Sequence, residues 1–346
     1  MGYPLRLPTS FFAKKVWRVT KTYDTHGPMF DTALTAVSPV ASSLVARTCE
    51  LSRPTRAANT TRAYLADWTA FEAWCSGVGA VALPAVEGTL CLYVVHLAGA
   101  GRKHATILRA VAAIRVAHAD AGQRIGELPH LRTVLGNLAR ETGTAPAAKA
   151  PLMAATLRTV VTDSAADTSV GAVRDRALLL LGFAGALRRS ELVGLDVADL
   201  RFTDDGLEVT VRRGKTDQTG AGRVVGVPHG RKGSCPVRAV KAWLVAAGIE
   251  GGAVFRRVGK GGRVMGERLS GQAVGFVVKD AAAGAGLDPA DFGGHSLRSG
   301  LATSAAKAGA GLVAVMSQGG WKSERIARRY IRHGSLFTAN AAEGLL

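Results

Sequence analysis

A mainly α-helical protein carrying a small antiparallel β-sheet, folded as two successive domains, is what this sequence predicts. The chain of 346 residues is longer than one compact core usually holds. Apolar residues recur at three- and four-residue spacing through most of it and alternate in only two short stretches, which favours helices over strands. An aperiodic run with two prolines and a glycine, ETGTAPAAKAP, separates an early helical part from a later mixed one.

Taken in order, residues 1–52 mix Pro, Gly, Ser and Thr without a sustained period. Arg6, Lys14, Lys15, Arg18 and Lys21 precede the first acid, Asp24, and no secretory signal core is present. We expect a poorly ordered basic extension. The first domain is placed at 53–140. There Asn59-Thr60 resembles a helix cap, and Tyr64, Leu65, Trp68, Phe71, Trp74 and Cys75 form one apolar stripe. A second helix is expected over 86–98, and a third over 103–121. The third puts Ile107, Val111, Ile114 and Ala117 on one face and is stopped by Gly122. A short fourth takes in 131–139.

Residues 141–151 read as a linker, and 152–346 as the second domain. An apolar helix over 173–187 leads into AGALRRSELVGL. Strands are expected at 207–213 and 223–227, joined by GKTDQTGAG, as a hairpin or three-stranded sheet. From Pro236 onward the reading is helical with glycine breaks, ending in a short helix over 336–346 whose Phe337, Ala341 and Leu345 recur every four residues.

Composition narrows the function. Lys plus Arg is 44 against 26 Asp plus Glu, a net charge of +18, which calls for an anionic partner. With 47% hydrophobic and 20% charged residues the chain is not a disordered polybasic tail. No apolar run approaches the ~18 residues that span a bilayer, so no membrane partner is expected. Four scattered cysteines suggest neither a disulfide framework nor a zinc site, which fits a reducing cytoplasm.

Several glycine patterns fail on spacing. Gly214-Lys215-Thr216 would end a phosphate-binding loop only with glycine at position 209, which is Val209. Gly220, Gly222 and Val225, like Gly259, Gly261 and Val264, miss the third glycine of a dinucleotide fingerprint. Gly294-His295-Ser296-Leu297 is followed by Arg298 where a hydrolase elbow needs glycine. No carboxylate and histidine cluster suggests a metal-dependent nuclease. Neither a cofactor nor a metal is expected.

One constellation survives. Arg188 and Glu191 stand three apart, and His295 and Arg298 repeat that spacing. Lys215 lies at the expected hairpin tip, and Trp321 and Tyr330 lie nine apart near the end. Two arginines, a histidine and a lysine converging would hold a phosphate whose charge grows in the transition state. A phenol of pKa ~10 is about 0.1% ionised at neutral pH, so Tyr330 as a nucleophile needs cations or a base beside it.

In residue type, order and spacing, Arg188, Glu191, Lys215, His295, Arg298, Trp321 and Tyr330 resemble the catalytic set of the tyrosine recombinases, the integrase family, with the last stretch most similar to the Cre-like subgroup. The match runs from about Arg53 to the C-terminus. The resemblance implies a helical core-binding domain that clamps DNA and a mixed α/β catalytic domain. It implies cleavage of one strand by Tyr330, leaving a 3′-phosphotyrosyl bond. Arg188 and Arg298 would hold the non-bridging oxygens, Lys215 protonate the leaving 5′-oxygen, and His295 assist proton transfer. Trp321 would pack and donate its indole N–H, and Glu191 support the site. It further implies double-stranded DNA with inverted repeats as partner, a homotetramer assembled through tail exchange, a Holliday junction, and a bacterial, phage or plasmid setting. Arg189 departs from the pattern, because relatives more often carry an apolar residue there.

Among the other basic residues, Arg212, Arg213, Arg231, Lys232, Arg256, Arg257 and Lys260 are candidates for phosphate contacts, and Thr61, Arg62, Lys103 and Arg109 for groove contacts. Rival readings are a type IB topoisomerase or telomere resolvase with the same chemistry, a catalytically silent DNA-binding relative, and a generic basic structural protein.

Overall fold

The computed structural model describes residues 43–44, 47–48, 51, 56–144, 148–212, 214 and 220–334, the side chains of Lys232 and of 332–334 excepted. The expected tail helix over 336–346, Lys215, Arg213 and nearly all of the extension 1–52 lie outside the described residues. The chain divides into two compact units, Met1–Pro146 and Ala147–Leu346.

The first unit packs α1 (Ala58–Val78), α2 (Glu87–Gly99), α3 (His104–Asp120) and α4 (Pro129–Thr142). Trp68, Phe71, Leu90, Ile107, Ile114 and Leu131 are its most buried large side chains. Ile107, Val111, Ile114 and Ala117 all face inward, as the period required, while Arg109 and Arg115 stay outside. Gly122, at φ 73°, closes α3 as Gln123 N–H bonds back to His118 O at 2.8 Å. The start of α1 differs from expectation. The helix begins at Ala58 behind Ala57, without a side-chain cap, and Asn59 and Thr60 lie inside it. Alanine, the best helix former, carries the helix ahead of the polar pair. His118 is buried, its Nε2 accepting from Ala85 N–H at 2.8 Å and its Nδ1 lying 2.8 Å from Ile114 O.

The second unit comprises α5 (Ala154–Asp163), α6 (Val170–Ala184), α7 (Arg189–Gly194), β1 (Leu200–Phe202), β2 (Gly206–Val211), β3 (Arg223–Pro228), α8 (Pro236–Ala247), β4 (Arg256–Val258), β5 (Val264–Arg268), α9 (Gly271–Gly284), α10 (Ser296–Lys307), α11 (Leu312–Gly319) and α12 (Glu324–Gly334). The antiparallel sheet runs β1-β2-β3. Leu207, Val209 and Val211 of β2 and Val225 and Val227 of β3 point into a core shared with α6 and α8, where Leu178, Leu181, Val237, Val240 and Trp243 are buried. Burying each large side chain contributes roughly 1.5–3 kcal/mol.

Two local readings are corrected. The region after Pro236 is not purely helical, because β4 and β5 form a second antiparallel pair. Their apolar side chains are few, Val258, Val264 and Met265 among arginines and glycines, so no alternation was visible. The end of the expected linker, Ala150 and Pro151, also belongs to the second unit. Ala150 N–H bonds Asp291 O at 2.8 Å and Leu152 N–H bonds Ser296 O at 2.9 Å. The approach requires glycine at position 300, where a Cβ would come within 1.9 Å of Leu152 O.

Candidate active site

The apolar helix α6 stops at Ala184 rather than running on through Arg188. Ala186 takes φ 47°, a left-handed conformation that costs a non-glycine residue about 1–2 kcal/mol, and it is fully buried. The reversal makes Arg188 the N-cap of the short α7 and Glu191 its third residue. Arg188 and Glu191 are therefore neighbours through a helix start, not through a continuing helix face. Arg188 N–H donates to Glu191 Oε2 at 3.0 Å, and the Arg188 guanidinium bonds Oε1. His295 and Arg298 repeat the arrangement on α10, with His295 at the N-cap and Arg298 third.

Arg298 is 1% exposed. Its Nη1 donates to Ala186 O at 2.5 Å and Gly319 O at 2.6 Å, and its guanidinium lies 3.9 Å from the Trp321 ring centroid. These contacts aim the group, while Nη2 is buried without a partner among the described residues. Burial, followed by the charge of Arg188, pulls its pKa down to about 10. Glu191, also buried, behaves oppositely. Burial pushes its carboxyl up, but the hydrogen bonds from Arg188 and the charges of Arg188 and Arg223 outweigh this and hold it below the usual range.

Tyr330, on α12, brings its hydroxyl to 2.8 Å from His295 Nε2, and its ring centroid to 5.6 Å from that of Trp321. Burial raises the phenol pKa, opposed by Arg298, Arg329 and Arg188. His295 is lowered, first by loss of solvation among packed neighbours and then by Arg298, Arg188 and Arg189. The residue as a whole stays exposed, so the three neighbouring positive charges act on an imidazole that water also reaches. With the imidazole neutral and its proton on Nδ1, Nε2 is an acceptor for the Tyr330 O–H, the arrangement a proton transfer from the phenol requires.

Six of the seven candidates are thus brought together: Arg188 with Glu191, His295 with Tyr330, and Trp321 between Arg298 and Tyr330, with the charges of Arg188 and Arg298 felt at His295 and Tyr330. Lys215 lies outside the described residues. Arg189 sits exposed, its stem across Gly294, where a Cβ would meet its Cδ at 2.1 Å. Of the adjacent pair, Arg188 is the one that faces Glu191. Arg223, at the start of β3, was missed. It donates to Glu191 Oε2 at 2.9 Å. A signal existed, since Arg223 roots the hairpin bearing Lys215, but it was one cation among 44.

The expected phosphate contacts divide. Arg212, more than half exposed, pairs with Asp196 and Asp199, and Arg256 donates to Ala253 O and Gly251 O. Arg231, Arg257 and Lys260 are exposed. In the first unit Arg62 and Lys103 are exposed, Arg109 pairs with Asp67 at 2.7 Å, and Thr61 Oγ1 bonds Ala57 O at 3.4 Å. Lys232's side chain and Arg213 lie outside the described residues. Among the described residues no group of three or more His, Cys, Asp or Glu could hold a metal ion, and no helix is long and apolar enough to cross a membrane.

Residues 158–335 match the model of the phage integrase family. An integrase/recombinase xerD homolog of Selenomonas ruminantium is 38% identical over 291 residues, 83% of this chain and 85% of that protein. The fold resembles that of the XerH site-specific recombinase bound to a palindromic difH substrate in a post-cleavage complex. That similarity has a TM-score of 0.62 at 16% identity and covers 97% of this chain and 95% of that one. A lambda integrase dimer bound to a core site gives a TM-score of 0.58 at 16% identity, over 84% of this chain and 95% of that one. With a pocket of arginines around a histidine-bonded tyrosine, a family match over half of its length and a relative this similar, the chain belongs to the phage integrase family, the tyrosine-type site-specific recombinases that break and rejoin DNA strands.

Proposed function

We propose that Tyr330 is the nucleophile of this recombinase, and that Arg188, Arg298, His295 and Lys215 carry out the rest of the exchange. Tyr330 Oη attacks the scissile phosphorus while its proton passes to His295 Nε2. Arg188 and Arg298 hold the non-bridging oxygens as negative charge accumulates on them. The bond to the 5′-oxygen breaks, Lys215 gives that oxygen a proton, and a 3′-phosphotyrosine and a 5′-hydroxyl result. A 5′-hydroxyl from the partner duplex then reverses the steps. Exchanging one phosphodiester for another is nearly isoenergetic, so neither nucleotide nor metal enters this account, and cleavage should survive a chelator.

The observation that carries the reading is the Tyr330 hydroxyl bonded to His295 beside Arg298. The first unit is read as the core-binding half of a DNA clamp, and the tail 336–346 as the segment exchanged between protomers of a tetramer on inverted repeats, passing through a Holliday junction. Trp321 under Arg298 supports the Cre-like variant of the site. The setting would be the cytoplasm of a bacterium or of a cell hosting a phage or plasmid.

The test starts from a duplex recovered from a random-sequence library by repeated binding selection. Two plasmids bearing it should recombine with the full chain. Deleting residues 335–346 should leave single half-site binding nearly unchanged while abolishing cooperative occupation and synapsis. A collapse of half-site binding on that deletion would place the tail in its own domain. Relaxation of supercoils without recombinants would favour the topoisomerase-like alternative.

A further inference from the structure

Glu191 is buried against two arginines, not one. Arg188 reaches it from the backbone and the guanidinium, and Arg223 Nη2 reaches its Oε2 at 2.9 Å from the root of β3. A carboxylate paired with Arg188 alone would leave a neutral couple, with little charge to offer a phosphate. With Arg223 the trio carries one net positive charge, and Arg298 adds a second. Two charges match a phosphodiester whose charge approaches −2 as the tyrosine oxygen adds. We propose that Arg223 is a positioning residue of the phosphate site, one that neutralises Glu191 so that Arg188 and Arg298 present their full charge to the scissile phosphate.

The surroundings hold Arg223 to that task. Its guanidinium stem crosses Gly320, which sits at φ 63° and whose absent Cβ would come within 2.7 Å of Arg223 Nε. Nη1 reaches Gln318 O at 3.4 Å. Gln318 in turn donates to Ala184 O at 2.7 Å and to Gly226 O at 3.0 Å, knitting the ends of α6, β3 and α11 around the arginine. A purely structural ion pair is the alternative. Such a pair adds little to stability over an apolar replacement, and it is indifferent to the charge of the substrate.

The inference rests on the reading of Arg188 and Arg298 as the phosphate clamp, and the experiment separates the two. Wild type and Arg223→Met are compared in single-turnover cleavage of the selected duplex, nicked to trap the adduct, with either a phosphodiester or a methylphosphonate at the scissile position. On the phosphodiester, Arg223→Met should cleave at least about tenfold more slowly, as deletion of one charge a few ångström away in a shielded site predicts, while half-site binding holds. On the methylphosphonate, which carries one charge fewer, the defect should shrink. Adding Glu191→Gln to Arg223→Met should speed cleavage over Arg223→Met alone, because the carboxylate needing neutralisation is gone. The substrate comparison is a ratio within each folded preparation, and Arg223→Gln serves in place of Arg223→Met if that variant does not fold. Equal defects on both substrates, or a double variant no faster than the single one, would overturn the proposal. No adduct from wild type would instead overturn the clamp reading beneath it.

Discussion

Replacing Arg298 with methionine separates what this residue does for the fold from what it does for the reaction. In the folded protein its loss orphans two carbonyls, Ala186 O and Gly319 O, at roughly 1–3 kcal/mol each if they stay buried. The stack on Trp321 is also lost, worth about 0.5–2 kcal/mol. Against this, a guanidinium whose pKa has been pulled down to about 10 is itself costly to bury, and methionine removes that cost. The opposing terms offset in part, so the melting temperature should fall by less than the lost contacts alone predict. No such compensation exists in the transition state, where a preorganised donor to developing charge is typically worth ~3–4 kcal/mol, or roughly two to three powers of ten in rate. Single-turnover adduct formation on a nicked duplex, with thermal unfolding of the same preparations, measures both. A folded Arg298→Met that cleaves within about tenfold of wild type would refute the reasoning.

Three further outcomes follow from named contacts. His295 must be neutral to accept the Tyr330 proton, and its folded pKa is depressed, so the acid limb of the cleavage rate should lie below the ordinary histidine value of ~6.5 and change on His295→Gln. His118 is buried as a neutral acceptor with its pKa lowered by burial. The unfolded state therefore binds its proton first, and the stability difference between wild type and His118→Gln, read in urea melts, should fall as pH drops below ~6.5 and level off beneath the folded-state pKa. Gly319→Ala would place a Cβ 1.9 Å from Trp321 Cζ3, so cleavage should fall as the ring is driven off Arg298, and the same substitution should cost little more in a Trp321→Ala background.

The face of α3 was legible because burial there follows a strict helical period, and all four residues on it proved buried. The spacing of three in both Arg188–Glu191 and His295–Arg298 was also legible, but its cause was not. Each pair spans an N-cap and third position, and the break before the first is made by Ala186, a residue with no sequence preference for left-handed backbone. Arg223 escaped notice because its partner is 32 residues away across a hairpin, a distance at which no periodicity operates. The pair β4–β5 was hidden by its arginines and glycines. The ion pairs of Arg212 were not legible either, since nothing local announces that Asp196 and Asp199 fold back onto it.

The central claim is that Tyr330 forms the covalent bond to DNA. Its most direct test is to trap the adduct on the nicked duplex in chelator, digest the protein, and map the nucleotide-bearing peptide by mass spectrometry. The account predicts a 3′-phosphate linked to the Tyr330 oxygen, and no adduct from Tyr330→Phe despite retained binding. A nucleotide on any other residue, or an adduct surviving that substitution, would contradict it.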